Sequence, residues 1–123
     1  MEKLNILVVD DKKAIGDLFD FALGFGGHAI TVANSVKAAI EAVKNKKFDI
    51  VFLDIVMPDK DGVEILEDIK DLLPALPVVM MSGYTLEDKK LKAQELGAVG
   101  YLKKPFEIDD VKQIMKDTLG KNI

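Results

Sequence analysis

Residues 5–11 read NILVVDD, a strand-length apolar run that is followed at once by two carboxylates. Similar runs return four more times, as AITVA at 29–33, IVFL at 50–53, PVVMM at 77–81 and AVGYL at 98–102. They are continuous rather than alternating, and most are rich in β-branched residues, which is typical of strands buried on both faces of a parallel sheet. The sequence therefore predicts five strands of such a sheet.

Patterns with helical spacing follow each of these runs. Apolar stripes lie at 14–23, 36–43, 63–73 and 108–119, and the stretch TLEDKKLKAQEL at 85–96 is the poorest in apolar residues. The predicted helix ends are a cap at Ser35, a capping box at Thr85 and Asp88, and stops at Gly24, Pro74 and Gly97. Strand and helix alternate five times with no internal boundary, so we expect one α/β domain with right-handed crossovers.

The composition narrows the classes of function. The 123 residues carry 17 basic and 21 acidic side chains, a net charge of −4, and every basic residue is Lys. A chain without Arg lacks the fork that reads guanine and phosphate, so direct nucleic-acid binding is not expected. The absence of Cys excludes disulfide frameworks, zinc–thiolate sites and thiol nucleophiles. No apolar run is long enough for a membrane span or a signal peptide, so we expect a cytoplasmic protein without a membrane partner.

Chemistry-bearing residues follow the ends of the predicted strands, where open α/β sheets bind ligands. In chain order they are Asp10 and Asp11, Asn34, Asp54, Ser82 and Gly83, and Lys103 and Lys104. If the strand order is 2-1-3-4-5, strands 1 and 3 flank the crevice, and the three Asp residues converge there.

Three carboxylates that converge repel one another, and a divalent cation relieves this repulsion. Oxygen ligands without His or Cys favour Mg²⁺ or a similar hard ion. A carboxylate beside such an ion can attack phosphorus and form an aspartyl phosphate. A lysine can then neutralise the phosphoryl oxygens, and Ser82 can donate a hydrogen bond to one of them.

Each of these residues also has an ordinary structural interpretation. Asp10 or Asp11 could cap the first helix, Asp54 could stabilise a turn, Ser82 could belong to a turn, and Lys104 could be a solvated surface residue. The joint arrangement favours a site, because capping alone does not predict complementary groups at the ends of four strands. The single histidine, His28, is expected in a loop or at a strand start, without a catalytic role.

Four segments, taken in order, resemble the motifs of the receiver domain of two-component response regulators. They are ILVVDD at 6–11, DIVFLDIVMPDKDG at 49–62, MSGY at 81–84 and GYLKKPF at 100–106. The resemblance covers essentially the whole chain, residues 1–123. It implies one receiver domain with a flavodoxin-like (βα)5 fold, a three-layer sandwich around a five-stranded parallel sheet of order 2-1-3-4-5.

The resemblance also implies a role for each site residue. Asp54 would be the phosphoacceptor and a metal ligand. Mg²⁺ would be bound directly by Asp11, directly or through water by Asp10, and by the backbone carbonyl of Val56. Lys104 would pair with the phosphoryl group, with a cis bond to Pro105. Ser82 would be the switch hydroxyl and Tyr101 the switch aromatic residue, while Val56 and Tyr84 occupy variable positions that tune dephosphorylation.

The partners implied are a histidine kinase or histidine phosphotransfer protein as donor, and a downstream target protein or output domain. The surface of the fourth helix, fifth strand and fifth helix would carry target binding or a phosphorylation-dependent homodimer. Such a domain catalyses only its own phosphorylation and dephosphorylation, as a signalling switch within a phosphorelay rather than a metabolic enzyme. We expect a stand-alone regulator rather than a receiver cut from a longer protein.

Three other functions stay open on the residues alone. A flavodoxin-like FMN carrier is disfavoured by the acidic first loop, DDKK at 10–13, which has no glycine and would repel a flavin phosphate. A phosphatase that uses Asp54 as nucleophile would show sustained turnover of phosphate esters, and Val56 stands where an Asp-x-Asp enzyme has its second Asp. A pseudo-receiver that signals without phosphate is disfavoured by the intact Asp pair and Lys104.

Overall fold

The computed structural model describes residues 3–58, 60–83 and 87–120 as alternating strands and helices. In chain order these are β1 (Asn5–Val9), α1 (Lys13–Leu23), a 3-10 turn (Gly24–Gly26), β2 (Ala29–Ala33), α2 (Val36–Asn45), β3 (Ile50–Asp54), α3 (Gly62–Leu72), β4 (Val78–Ser82), α4 (Glu87–Glu95), β5 (Gly100–Lys103) and α5 (Ile108–Leu119). Among the described residues, no helix combines the length and apolarity needed to cross a bilayer.

The five strands form one parallel sheet of order β2-β1-β3-β4-β5. This confirms the predicted α/β class and strand order. The three central strands, β1, β3 and β4, are buried on both faces, because their alternating side chains enter two separate apolar clusters, whereas the edge strands β2 and β5 are only partly buried. One cluster joins the sheet to α2, α3 and α4, and the other joins it to α1 and α5. The continuous apolar runs of the sequence thus reflect helices on both sides of the sheet.

One predicted helix start, the cap at Ser35, is confirmed by a hydrogen bond. The Ser35 hydroxyl accepts from the backbone N–H of Ala38 at 3.2 Å and caps α2. Helix α1 ends at Leu23, before the predicted stop at Gly24, and the turn that follows closes on Gly27 with a left-handed φ of 92°. The capping box predicted at Thr85 and Asp88 involves side chains outside the part of the chain that the structure describes.

Two strands begin later than the apolar runs predict. Strand β4 starts at Val78 rather than Pro77, and β5 starts at Gly100 rather than Ala98. Ala98 lies beyond α4 but is bonded back to its last turn, since its N–H donates to the Ala93 carbonyl after Gly97 turns with a φ of 101°. Strands β3 and β4 extend one residue further, so that Asp54 and Ser82 are themselves the last strand residues.

Helix α4 has little apolar anchorage, as its sequence predicts. Among its described side chains, Ala93 is buried while Leu91 is more than half exposed. Helix α3, by contrast, buries Val63, Ile65, Leu66 and Ile69. The predicted stripe of α3 is one residue too long, because Leu73 is the partly exposed residue that ends the helix.

Candidate functional site

Three carboxylates meet at the carboxyl edge of the sheet. Oxygens of Asp10, Asp11 and Asp54 lie within 4.8 Å of one another. Asp10 is 1% exposed and Asp54 is 2% exposed, whereas Asp11 faces solvent. Two buried carboxylates beside a third are costly unless cations or hydrogen bonds compensate their charge.

The sheet itself brings the carboxylates together. Val9 of β1 pairs with Leu53 of β3, so the residues that follow, Asp10 and Asp54, stand side by side. On its other side β1 is extended by one more bond to β2, because Asp10 donates its backbone N–H to the Ala33 carbonyl at 3.1 Å. The predicted convergence at the crevice between strands 1 and 3 is therefore observed.

Lys104 supplies the compensating charge. Its Nζ lies 2.6 Å from Asp10 Oδ2 and 3.2 Å from Asp54 Oδ2. Burial lowers the pKa of Lys104, but the hydrogen bond to Asp10 and the charges of both carboxylates outweigh it and raise that pKa above its ordinary value. The ammonium is thus held in its charged form between the two buried acids, rather than being a solvated surface group.

The backbone around Lys104 fixes its position. The Lys104–Pro105 peptide bond is cis, as the resemblance implies. The Lys104 N–H donates to the Ser82 carbonyl at 2.7 Å. The lysine therefore approaches the carboxylates from a loop that is bonded to the end of β4.

Two backbone N–H groups orient the buried carboxylates. Asp10 Oδ1 accepts from the Lys12 N–H at 2.9 Å, and Asp54 Oδ1 accepts from the Val56 N–H at 3.1 Å. Burial raises the pKa of Asp54; the Val56 N–H opposes this, the charge of Asp10 adds to it, and Lys104 opposes it. Each carboxylate is thus held at one oxygen by backbone while the other faces Lys104.

The hydrogen bonds around the three Asp residues show which of their predicted structural roles, helix cap or turn, the structure contains. Helix α1 begins at Lys13 and its N-cap residue is Lys12, so neither Asp10 nor Asp11 is the N-cap. Asp54 does stabilise the turn that follows β3 through Val56. Asp54 therefore has both roles: it stabilises the turn and is a member of the acid cluster.

The donor set fits a hard divalent cation. Three carboxylates supply oxygens alone within a span that one ion can bridge, and oxygen-only sites favour Mg²⁺ over softer metals. Val56 adjoins this cluster through its bond to Asp54, and the role predicted for its carbonyl stays a prediction.

The predicted switch residues lie on neighbouring strands beside the site. Ser82 is fully buried at the end of β4, where it pairs with Lys103, and Met81 pairs with Asp54. Tyr101 in β5 is half-buried on the α4 side of the sheet, and Lys90 Nζ of α4 lies 5.0 Å from its ring centroid. The variable position Tyr84 lies outside the described residues.

Two residues that support the site were not assigned roles from the sequence. A Cβ on Gly62 would lie 2.3 Å from the Asp54 carbonyl oxygen and 2.5 Å from the Ile55 Cα, so this position has room only for glycine. Asp61 caps α3 by accepting from the Val63 N–H at 2.8 Å, and it also pairs with Lys89 of α4. The Asp-Gly dipeptide at 61–62, which is typical of turns, is the sequence feature from which these roles could have been predicted.

Comparisons with known proteins give one consistent family. The family model described as "Response regulator receiver domain" matches residues 6–116. The Transcriptional regulatory protein ZraR of Klebsiella oxytoca is 36% identical over 119 residues, covering 97% of this chain and 27% of that protein. The DNA-binding transcriptional regulator NtrC of Proteus hauseri is 34% identical over 110 residues, covering 89% of this chain and 23% of that protein. The chain thus spans about a quarter of the length of these curated relatives.

Solved structures are similar over nearly the whole chain. The CheY-like response regulator receiver domain protein from Methanospirillum hungatei JF-1 has a TM-score of 0.92 at 29% identity, covering 97% of this chain and 95% of that one. The receiver domain of NtrX from Brucella abortus has a TM-score of 0.87 at 35% identity, covering 94% and 98%.

Proposed function

The chain belongs to the receiver domain family of response regulators, and from this premise we propose that it is a phosphoacceptor switch of a two-component system. In this proposal Asp54 accepts a phosphoryl group from a phosphorylated histidine of a kinase or a phosphotransfer protein. The supporting observation is the buried Asp54 carboxylate, which is clustered with Asp10 and Asp11 and lies 3.2 Å from the Lys104 ammonium.

The proposed reaction is a displacement at phosphorus. A carboxylate oxygen of Asp54 attacks the phosphorus atom, the P–N bond to the donor imidazole breaks, and the imidazole leaves with the electron pair and takes up a proton. Hydrolysis reverses the modification: water attacks phosphorus, the bond to Asp54 oxygen breaks, and inorganic phosphate leaves. The domain acts on itself, so it is proposed as a switch rather than a metabolic enzyme.

The chain's own residues orient and neutralise the reacting groups. The Val56 N–H fixes one oxygen of Asp54, which limits rotation of the carboxylate and so aids attack. Lys104 places a positive charge beside the other oxygen, where phosphoryl charge would accumulate. A raised pKa keeps this ammonium protonated at neutral pH.

One ammonium cannot balance three carboxylates and a phosphoryl group. We propose that Asp10, Asp11 and Asp54, with the Val56 carbonyl, hold Mg²⁺ at this edge. When bound, the ion would supply further positive charge for the phosphoryl oxygens. Asp11 is the exposed member of the cluster and is open to an ion that arrives from solvent.

We propose that Ser82 and Tyr101 transmit the conformational change from phosphorylated Asp54 to the surface of the domain. The Ser82 hydroxyl would donate to a phosphoryl oxygen, and its loop would move with it. Space vacated by that loop would let the Tyr101 ring turn, beside the weakly anchored helix α4. The surface of α4, β5 and α5 would then differ between the two states.

This surface is proposed to contact a target protein or an output domain. The relatives ZraR and NtrC are named as transcriptional regulators and are much longer than the matched region. For this chain we propose a cytoplasmic role in which DNA is not contacted directly, since its charge is −4 and it has no Arg. Phosphorylation-dependent pairing of two copies through the same surface is part of the proposal.

The acceptor assignment is tested by intact mass spectrometry after incubation with acetyl phosphate and Mg²⁺. The wild-type chain is expected to gain one phosphoryl group, and Asp54→Ala to gain none. Asp71→Ala, at an exposed position of α3, is the matched control and is expected to be modified like wild type. Equal labelling of Asp54→Ala would overturn the assignment, and steady release of phosphate from many equivalents of ester would indicate a phosphatase instead.

A further inference from the structure

A groove of about 750 Å³ lies at the end of the sheet opposite the carboxylates. It is formed by the loops that lead from α2 into β3 and from α3 into β4, so it belongs to the amino edge of these parallel strands. Its volume lies within the range of about 300–1,000 Å³ that is typical of binding pockets. We call it the basic groove and define it by its apolar floor and its lysine rim, which are Phe48, Leu73, Leu76, Lys44, Lys46 and Lys47.

The rim of the basic groove is positively charged although the whole chain is acidic. Lys46 Nζ lies 5.6 Å from the Phe48 ring centroid, whereas Lys44 and Lys47 are exposed and form no ion pair with any described residue. Asp49 is the acidic residue among those lining the groove, and its carboxylate is engaged with the Asn5 N–H at 2.7 Å. The groove therefore suits an occupant that is apolar at its centre and acidic at its margin.

The same chain carries a surface of that description. Phe21 and Phe25 are 61% and 83% exposed, and their rings stack edge to face with centroids 5.7 Å apart. Asp17 and Asp20 border the same patch, and Asp17 also forms an exposed ion pair with Lys13 at 3.3 Å. We call Phe21, Phe25 and these two acids the aromatic knob. Two large aromatic side chains exposed together are unusual for a surface that contacts only water, and such patches commonly mark interaction sites.

We propose that the aromatic knob of one copy docks into the basic groove of a second copy. The Phe rings would cover the apolar floor, while Asp17 and Asp20 would face Lys44 and Lys47. Charge complementarity supports a second copy as the occupant, because the acids border the rings as the lysines border the floor.

The positions of the knob and the groove on the domain are compatible with a closed dimer of twofold symmetry. Phe25 lies in the turn that leads into β2, so this end of the knob is at the amino edge of the sheet, as the groove is. The rest of the knob extends along α1, with Asp17 furthest from that edge. Helix α1 packs on one face of the sheet, and α2 and α3 pack on the other. In the proposed pair a twofold axis near this edge sets each knob against the partner's groove, so that two contacts form at once.

The size of the contact indicates a weak pair. Each aromatic side chain buries roughly 150–250 Å² when covered, whereas a standard interface buries about 800 Å² on each partner. The contact also leaves the carboxylate edge and the α4, β5 and α5 surface open. Pairing through the knob should thus be independent of Asp54, which separates this proposal from the phosphorylation-dependent pairing above.

Sedimentation equilibrium of the full chain, at loading concentrations from about 5 to about 500 µM, tests the proposal by measuring the dimer dissociation constant. The expected result is a monomer–dimer equilibrium that weakens as salt rises, because exposed charges are screened over about 10 Å at 0.1 M ionic strength. Phe25→Ser and the double variant Lys44→Glu/Lys47→Glu should each weaken it by at least about tenfold, as truncated interface anchors do. The double variant Lys37→Glu/Lys112→Glu makes the same charge change at other exposed positions and should weaken it much less.

Two further measurements identify the occupant. A chain that combines Asp17→Lys/Asp20→Lys with Lys44→Glu/Lys47→Glu should regain dimer, because the charges are exchanged between the two surfaces. Asp54→Ala should pair like wild type. A wild-type chain that stays monomeric up to about 500 µM would overturn the proposal. The proposal would also be overturned if the knob and groove variants dimerised as strongly as wild type, or if Asp54→Ala abolished the dimer.

Discussion

Replacing Gly62 by Ala should damage both the fold and the phosphoacceptor site. The added Cβ would lie 2.3 Å from the Asp54 carbonyl oxygen, 2.5 Å from the Ile55 Cα and 2.8 Å from the Ile55 carbonyl oxygen. All three neighbours are backbone atoms, so no side chain can rotate away. To restore even the 3.0 Å below which Cβ contacts are essentially never found, the β3–α3 segment or the start of α3 must move by about 0.7 Å, the difference between 3.0 and 2.3 Å.

The expected loss of stability follows from this displacement. Overpacking a close-packed site typically costs about 1–3 kcal/mol, and a clash with backbone belongs at the upper end of that range. Because alanine has a higher helix propensity than glycine, the substitution also stabilises α3 by up to about 1 kcal/mol. A net loss of about 2 kcal/mol would lower the melting temperature by roughly 6–10 °C for a domain of this size.

The assay is thermal unfolding by circular dichroism, paired with phosphorylation by acetyl phosphate well below the melting temperature. Gly26→Ala is the matched control, because its Cβ would meet only the His28 ring at 3.7 Å or more. The folded Gly62→Ala variant should also be phosphorylated more slowly, since the atoms that must move belong to Asp54 and its neighbour. A variant as stable as Gly26→Ala would refute the packing argument, and normal phosphorylation despite lost stability would refute its link to the site.

Three further outcomes are expected. Mg²⁺ should raise the melting temperature by mass action, and Asp11→Ala should remove most of that rise; a variant with undiminished Mg²⁺ affinity would place the ion elsewhere. Ser82→Ala should remain phosphorylatable but show smaller amide NMR shifts over residues 87–101 on beryllofluoride binding, and wild-type shifts would exclude the hydroxyl as relay. Burial lowers the pKa of His28, so the stability conferred by its neutral ring is present above about pH 6.5 and is lost as pH falls from there through the lower folded-state pKa. His28→Gln should flatten that acid limb in melts between pH 7 and pH 5.

The apolar runs and helical stripes predicted the strands and helices well, because the burial of apolar side chains is the main cause of both patterns. The apolar runs become strands since both faces of the sheet are covered, and the residues that follow the runs must then share one edge. The strand order came from the resemblance rather than from the runs, which do not state which strands are neighbours. The sequence therefore predicts that Asp10 and Asp54 lie together at the site.

Features that depend on distant residues were beyond the sequence patterns. Lys104 bridges Asp10 and Asp54 across 94 and 50 residues, and no local rule states that it is held between them. His28 was expected only as a loop or strand-start residue, yet its Nδ1 accepts the Leu4 N–H at 3.1 Å and ties the starts of two strands together. The delayed start of β5 has instead a local cause, because the Ala98 N–H donates to the Ala93 carbonyl at the end of α4.

The contacts of α4 suggest why this helix is suited to carry the proposed signal. Lys89 pairs with Asp61 of the loop that follows the acceptor strand, and Lys90 lies over the Tyr101 ring. Partly exposed ion pairs and cation–π contacts are each worth about 1 kcal/mol or less, and Ala93 adds little apolar burial. A useful switch needs a coupling of only about 1–3 kcal/mol. Rearranging a few charged contacts of this size could therefore reposition α4 without unpacking the core, which a helix anchored like α3 could not do.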